Sequence, residues 1–232
     1  MKTKKDAVAI IPARGGSKRI FKKNIKEFHG KPIIAYSIEL ALKSNLFDRV
    51  IVSTDDTDIA EISKEYGAEI PFMRPDNISD DFSTIDDVLI HALNAIDSSY
   101  KYSCTILPTA PFLRMKYLKN GYEHIKENNL VNTFSACATS FTIQRAFKLN
   151  SEGRCEMFNP ENFTKRSQDF EEAYQDAGQF YWTNLKNKNP NDIMFSDKSF
   201  PIIIPKYLVQ DIDSMEDWHR AELMYETIFK NN

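Results

Sequence analysis

The stretch "VAIIPARGGSKRIFKKN", residues 8–24, sets an apolar run against a loop with two adjacent glycines and five cations, Arg14, Lys18, Arg19, Lys22 and Lys23. An unbroken apolar run reads as a strand covered on both faces, the mark of a parallel sheet. Open α/β sheets bind ligands beyond the carboxyl ends of their strands, so the loop stands where a ligand is expected. Gly15 and Gly16 let the backbone turn and present N–H groups to an anion. Arg14, Lys18 and Lys23 could neutralise a triphosphate, Arg14 by binding two oxygens at once. Spacing excludes two other phosphate loops. A Walker loop needs four residues between its first Gly and a Gly-Lys-Ser/Thr, and a dinucleotide fingerprint needs a third glycine. A nicotinamide dehydrogenase is thereby excluded. A basic, solvated surface loop is the plain alternative.

Working outward, strands and helices alternate. "RVIVST" (49–54) and "YSCTIL" (102–107) read as further buried strands, and "NTFSAC" (132–137) as another. "KPIIAYSIELALKS" (31–44) places Ile34, Ile38, Ala41 and Leu42 on one helical stripe. "TDIAEISKEYG" (57–67) reads as a helix that Gly67 can cap. "TIDDVLIHALNAI" (84–96) is the clearest amphipathic helix, with Ile85, Val88, Leu89, Ala92, Leu93 and Ile96 on one face. A further helix is expected near 115–127, and a last one from about 215. Repeated βα units predict an α/β fold, a mostly parallel sheet with helices on both faces. The rhythm breaks after residue 138, where "FKLNSEGRCEMF" (147–158) reads as two strands around a Ser-Glu-Gly turn. Residues 139–190 are therefore expected to form an inserted arm, with 1–138 and 191–232 making the α/β nucleotide-binding domain.

The 232 residues suit one such domain with a sub-domain, and 42% hydrophobic with 27% charged content is ordinary for a globular protein. Net charge is −3, but residues 1–31 hold ten Lys or Arg against Asp6 and Glu27, a net +8 that leaves about −11 elsewhere. So local a field suggests a small, highly charged ligand. A nucleic-acid binder is a rival that lacks a recognised motif, and the acidic remainder argues against it. Cys104, Cys137 and Cys155 form no CxxC pair, which indicates a reducing compartment. Neither a signal-peptide h-region nor a membrane-length apolar run is seen, so no membrane partner and a cytoplasmic location are expected.

"VQDIDSMED" (209–217) places Asp211 and Asp213 two apart where a strand is expected to end, which turns both to one side. Two carboxylates facing a triphosphate would suit Mg²⁺, which takes one or two protein carboxylates and fills its shell with phosphate and water. Ser214-x-x-Asp217 also matches a helix capping box, so a capping role for these acids competes.

"IIPARGGSKRIFKKN" (10–24) resembles the signature of the CMP-N-acetylneuraminate synthetase (acylneuraminate cytidylyltransferase) family, with Phe21 where proline is usual. Further likeness lies in "FDRVIVSTDD" (47–56), "RP…SDD" (74–81), "PTAPFLR" (108–114) and "VQDIDSMEDWHRAE" (209–222). The segment "RSQDFEEAYQDAGQFYW" (166–182) is most similar to the pseudaminic acid cytidylyltransferase branch. The resemblance implies a Rossmann-like nucleotidyltransferase that joins CTP to a nonulosonic acid with Mg²⁺, as a homodimer built by the arm. It implies a metal site at Asp211 and Asp213. It also implies nucleotide contacts from Ala13, Arg14, Gly15, Gly16, Ser17, Lys23, Asn24, Arg74 and Thr84, with Arg14, Lys18, Lys23 and Asp211 carrying the chemistry. Ser83 and Thr84 are better placed to cap their helix than to hold ligand. A nonulosonic acid needs a cation, amide-type partners and an aromatic wall. Arg166, Gln168, Tyr174, Asp176, Gln179 and Tyr181 supply those types, although Tyr181 and Trp182 fit a small aromatic core as well. Arg145 and Lys148 are candidates to reach the partner's sugar pocket. A CMP-N-acetylneuraminate or CMP-legionaminate synthetase, or a non-catalytic nucleotide-binding module, remain the alternatives.

Overall fold

The computed structural model describes residues 5–96, 99–189 and 191–230. Lys2 and Lys4 of the basic block, and Pro190 at the end of the expected arm, lie outside the described residues. In chain order the elements are β1 (Ala7–Pro12), β2 (Glu27–Phe28), β3 (Lys31–Pro32), α1 (Ile33–Ser44), β4 (Arg49–Ser53), α2 (Thr57–Glu65), α3 (Ile85–Ala95), β5 (Tyr102–Ile106), α4 (Met115–Glu127), β6 (Asn132–Ala138), β7 (Phe147–Leu149), β8 (Cys155–Met157), β9 (Tyr174–Asn184), β10 (Ser199–Ile203) and α5 (Met215–Tyr225). Short 3-10 turns punctuate the loops.

β1 forms inside the sheet because its residues serve two cores at once. Val8 and Ile10 pack with Ile51, Leu89 and Ala92 beneath α3, while Ala9 and Ile11 join Ile34, Ile38, Leu118 and Trp218 from α1, α4 and α5. The six-stranded sheet runs β10-β6-β9-β5-β1-β4. β1 pairs parallel with β4 and β5, and β6 pairs parallel with β10. The expected α/β architecture is therefore present, with helices on both faces. The predicted helical faces also hold, with two exceptions: Leu42 is 44% exposed at the rim of its stripe, against Gly67, and Ile85 is 40% exposed at the first residue of α3. Gly67 ends α2 at φ +91, its N–H bonded to the Lys64 carbonyl.

The arm is narrower than the sequence rhythm suggests. β9 is antiparallel to both β5 and β6 and lies between them, so residues 174–184 belong to the main sheet and not to an insertion. Packing is the reason. Phe180 and Trp182, two residues apart on one strand face, fill the space over Gly121, where any Cβ would approach the Trp182 ring to 2.8 Å. Trp182 stacks on Phe47 at 5.1 Å and donates its Nε1–H to the Leu118 carbonyl at 3.0 Å. Trp182→Ala should cost about 3–5 kcal/mol in equilibrium denaturation, the scale for a fully buried aromatic; a loss under 1 kcal/mol would contradict this packing. Outside the sheet, residues 139–173 carry the predicted β7–β8 hairpin, whose turn uses Gly153 at φ +75.

A second difference concerns the strand expected to end at Asp211 and Asp213. β10 stops at Ile203, a 3-10 turn spans Lys206–Leu208, and Asp211 and Asp213 follow on an unpaired segment. The alternation survives, since Ile212 is fully buried between them. No described helix is long and apolar enough to cross a membrane.

Candidate active site

The loop after β1 is shaped by close approach. The Ala13 N–H still bonds to the Ser53 carbonyl at 2.9 Å, which extends the strand pairing by one residue. Gly15 has no side chain because Asp56 is there: an added Cβ would lie 2.6 Å from its Oδ2. Asp56 caps α2 through the Asp58 and Ile59 amides, so it cannot withdraw cheaply. The Gly15 N–H donates to Asp55 Oδ1 at 3.0 Å, so the backbone amide at the loop's mouth does face an anion, one from the protein itself. Gly16 meets nothing within 4 Å, and its lack of a side chain is not explained by contact. The left-handed turn falls on Lys22, φ 48, just before a 3-10 turn at Lys23–Ile25. Buried Asn24 closes the loop by donating its Nδ2–H to the Arg14 carbonyl at 2.9 Å.

Closed this way, the loop lines a cavity of about 420 Å³ with Arg14, Ser17, Lys18, Arg19, Lys23 and Asn24. Each of its cations leans on a carboxylate. Arg14 and Lys18 grip Asp81 at 2.5 and 2.6 Å, and Arg19 reaches Asp213 at 3.0 Å. Lys23 donates to the Ile212 carbonyl at 2.6 Å and stands 3.4 Å from Asp213. Lys18 and then Arg14 hold the Asp81 carboxyl below the usual carboxylate range. These pairs are largely solvated and individually weak, apart from Lys23, whose side chain is only 20% exposed. A polyphosphate brings several anionic oxygens together and can take those cations over.

A neighbouring cavity of about 250 Å³ is walled by Arg14, Arg74, Ser79 and Thr84. Arg74 is buried, which pushes its guanidinium pKa down, and it is tied to Asp55 at 3.5 Å and Ser79 at 3.2 Å. It therefore fastens the loop at 79–83 to the end of β4 as well as facing the cavity. Thr84 lines the wall while its hydroxyl serves a full capping box with Asp87. Ala13 is fully buried with its N–H spent on Ser53, so that amide is closed to a base.

On the far side lies an acidic cavity of about 620 Å³ that holds Asp176, Asp211, Asp213 and Asp217. Burial first, and the Asp213 charge second, push the Asp211 carboxyl up. Asp217 is the capping partner of Ser214, which is where the competing reading of this motif applies. Asp213 belongs to both the cation cavity and the acidic one. Leu107, one residue past β5, lines all three cavities, so they converge at the carboxyl ends of β1 and β5. Among the described residues no cluster of three or more His, Cys, Asp or Glu could hold a metal alone. Two neighbouring carboxylates, one with its ionisation opposed by the other, fit a hard cation that takes its remaining oxygens from phosphate and water. No histidine lines these cavities.

The sugar-site candidates are not all brought together. Asp176 lines the acidic cavity, pinned by Tyr181 Oη at 2.7 Å and the Gly178 amide at 2.9 Å. Gln179 is instead buried in the sheet, donating to the Leu208 carbonyl at 2.6 Å. Tyr174 faces a separate apolar cavity and Gln168 a small polar one within the arm. Arg166 is bound to Asp169 at 3.0 Å, and Arg145 stacks over Phe170 at 5.7 Å. Ser140, Gln175, Gln210 and Arg220 also line the acidic cavity and were not singled out from sequence. Gln175 has a readable signal, as it sits beside Asp176 on β9; Arg220 is hidden one turn into α5.

Comparison with known proteins gives the family and the fold. A family profile described as "Cytidylyltransferase" matches residues 8–202. The chain is 42% identical to the pseudaminic acid cytidylyltransferase of Campylobacter jejuni subsp. jejuni over 222 residues, 94% of this chain and 96% of that one. It is 29% identical, over the same shares, to the CMP-N,N'-diacetyllegionaminic acid synthase of Legionella pneumophila subsp. pneumophila. A solved CMP:2-keto-3-deoxy-manno-octonic acid synthetase complexed with CTP superposes with a TM-score of 0.69 at 16% identity, covering 95% of this chain and 98% of that one, which establishes a shared fold.

Proposed function

This chain belongs to the cytidylyltransferase family, and from that footing we propose that it joins CTP to a nonulosonic acid, pseudaminic acid foremost, releasing pyrophosphate. It is a nucleotidyltransferase. The observation that carries the reading is Asp213, which stands within 3.4 Å of Lys23 on the cation side while walling the acidic cavity on the other. Triphosphate and acceptor can thus meet across one residue.

In the proposed reaction the anomeric C2 hydroxyl of the sugar acid attacks the α-phosphorus. The new C–O–P link forms as the bond to the β-phosphate oxygen breaks, and pyrophosphate departs in line. Arg14 and Lys18 leave Asp81, and Lys23 leaves Ile212, to hold the phosphate oxygens as charge shifts onto the leaving group. Asp211 and Asp213 would hold Mg²⁺, which when bound withdraws charge from the α-phosphate. With no histidine in the cleft, the hydroxyl proton passes to an aspartate or to water.

We further propose a cytoplasmic homodimer. The described cysteines are free. The arm exposes Phe141 (85%), Phe163 (73%) and Leu149 (64%), apolar surface that a second copy would cover. Arg145 and Lys148 would then approach the partner's sugar pocket.

One preparation tests the whole reading. Purified protein with CTP, Mg²⁺ and a panel of nonulosonic acids should yield a CMP-sugar by mass with an equivalent of pyrophosphate, fastest with pseudaminic acid, and light scattering should report twice the chain mass. CTP binding without product from any member of the panel would favour a non-catalytic module and defeat the proposal.

A further inference from the structure

A sugar acid entering the acidic cavity brings a carboxylate into a space already lined by four aspartates. Each like charge opposes it, so the cavity must supply a positive charge beyond any bound metal. The cations of the neighbouring loop do not serve, because Arg14, Lys18, Arg19 and Lys23 line the phosphate side and are engaged there. The two arginines expected from sequence are held elsewhere in this chain, Arg166 by Asp169 and Arg145 against Phe170.

Arg220 is the basic residue in the lining of the acidic cavity. It projects from the second turn of α5, and it makes no hydrogen bond or ion pair with any other described residue. Asp217, one turn earlier, feels the Arg220 charge, but its hydrogen bonds go to the Ser214 hydroxyl and to the Ser214 and Asp213 amides. A guanidinium with its N–H groups free of hydrogen bonds to described residues, over a cavity of carboxylates, offers a two-pronged site for an incoming carboxylate group. We propose that Arg220, within its own chain, binds the carboxylate of the sugar acid and so selects acidic over neutral sugars. This rests on the proposed function above and adds to it the residue that reads the acid.

The test uses the full chain with saturating CTP and Mg²⁺. Arg220→Met should raise KM for the sugar acid by about 10- to 100-fold, the scale for losing a charge-assisted contact. KM for CTP should stay within about twofold, since the phosphate site is lined by other cations, and Arg220→Lys should recover part of the loss. The carboxamide analogue of the sugar, measured as a competitive inhibitor, should bind the wild-type protein about as weakly as it binds Arg220→Met. An unchanged KM in Arg220→Met overturns the inference, as does an equal loss of affinity for acid and carboxamide, and either result assigns the carboxylate to another cation such as the partner's. If the wild-type protein forms no CMP-sugar from any acid, the proposed function fails and the Arg220 assignment falls with it.

Discussion

Lys23→Met should cut turnover by about 10²- to 10³-fold, the usual loss when one fixed donor to developing charge is removed. Three features make Lys23 the cation with the largest expected effect. Its side chain is 20% exposed, whereas Arg14, Lys18 and Arg19 lie between 39 and 79%. A charge in that environment is less screened, so each hydrogen bond it gives counts for more. Its position is also fixed by the left-handed Lys22 and by the 3-10 turn that begins at Lys23 itself. Finally, its present partners, the Ile212 carbonyl and Asp213, belong to the segment that carries the acidic pair. Methionine keeps the stem and removes the charge. The melting temperature should move by only a few degrees, and a sugar-independent CTP affinity should weaken in parallel with turnover. Turnover within tenfold of wild type would remove Lys23 from the chemistry.

Asp211→Asn should lose metal-dependent turnover to a similar degree, yet leave the fold as stable or slightly more so. The sign follows from the carboxyl being pushed up by burial and by Asp213. A carboxyl whose folded-state pKa is raised favours folding while protonated, and that contribution disappears as pH rises through its folded value. Asp211 is solvent-exposed, so near neutral pH the ionised group costs little stability, and an amide of the same shape costs none. Activity lost with stability kept or gained marks a residue retained for function. The pairing to measure is Mg²⁺-dependent pyrophosphate release against the thermal midpoint. A falling midpoint, with Mg²⁺ dependence unaltered, would make Asp211 a structural acid.

The parts legible in sequence are those set by local pattern. β1, β4 and β5 show as continuous apolar runs, α3 as a stripe, and the loop by glycine and charge, because each of these signals lies within a dozen residues. β9 was obscured because its place between β5 and β6 depends on pairings 36 to 82 residues away. The loop glycines were read for turning, whereas Gly15 answers to Asp56, a neighbour visible only in three dimensions. Gln179 and Asp176 are both polar and lie three residues apart, but strand geometry sends one into the sheet and leaves the other on the cavity wall. Arg220 escaped for the opposite reason, since a polar position on an amphipathic helix looks like ordinary solvent-facing surface.

The basic loop and the late acidic pair are proposed to make one site bridged by nucleotide and metal. A crystal structure of the protein with CTP and Mg²⁺ tests it most directly. The expected result is an ion about 2.0–2.1 Å from carboxylate oxygens of Asp211 and Asp213 and from phosphate oxygen, with Lys23 moved from Ile212 onto the triphosphate. A triphosphate bound away from residues 14–24, or a metal that ignores both aspartates, would contradict it.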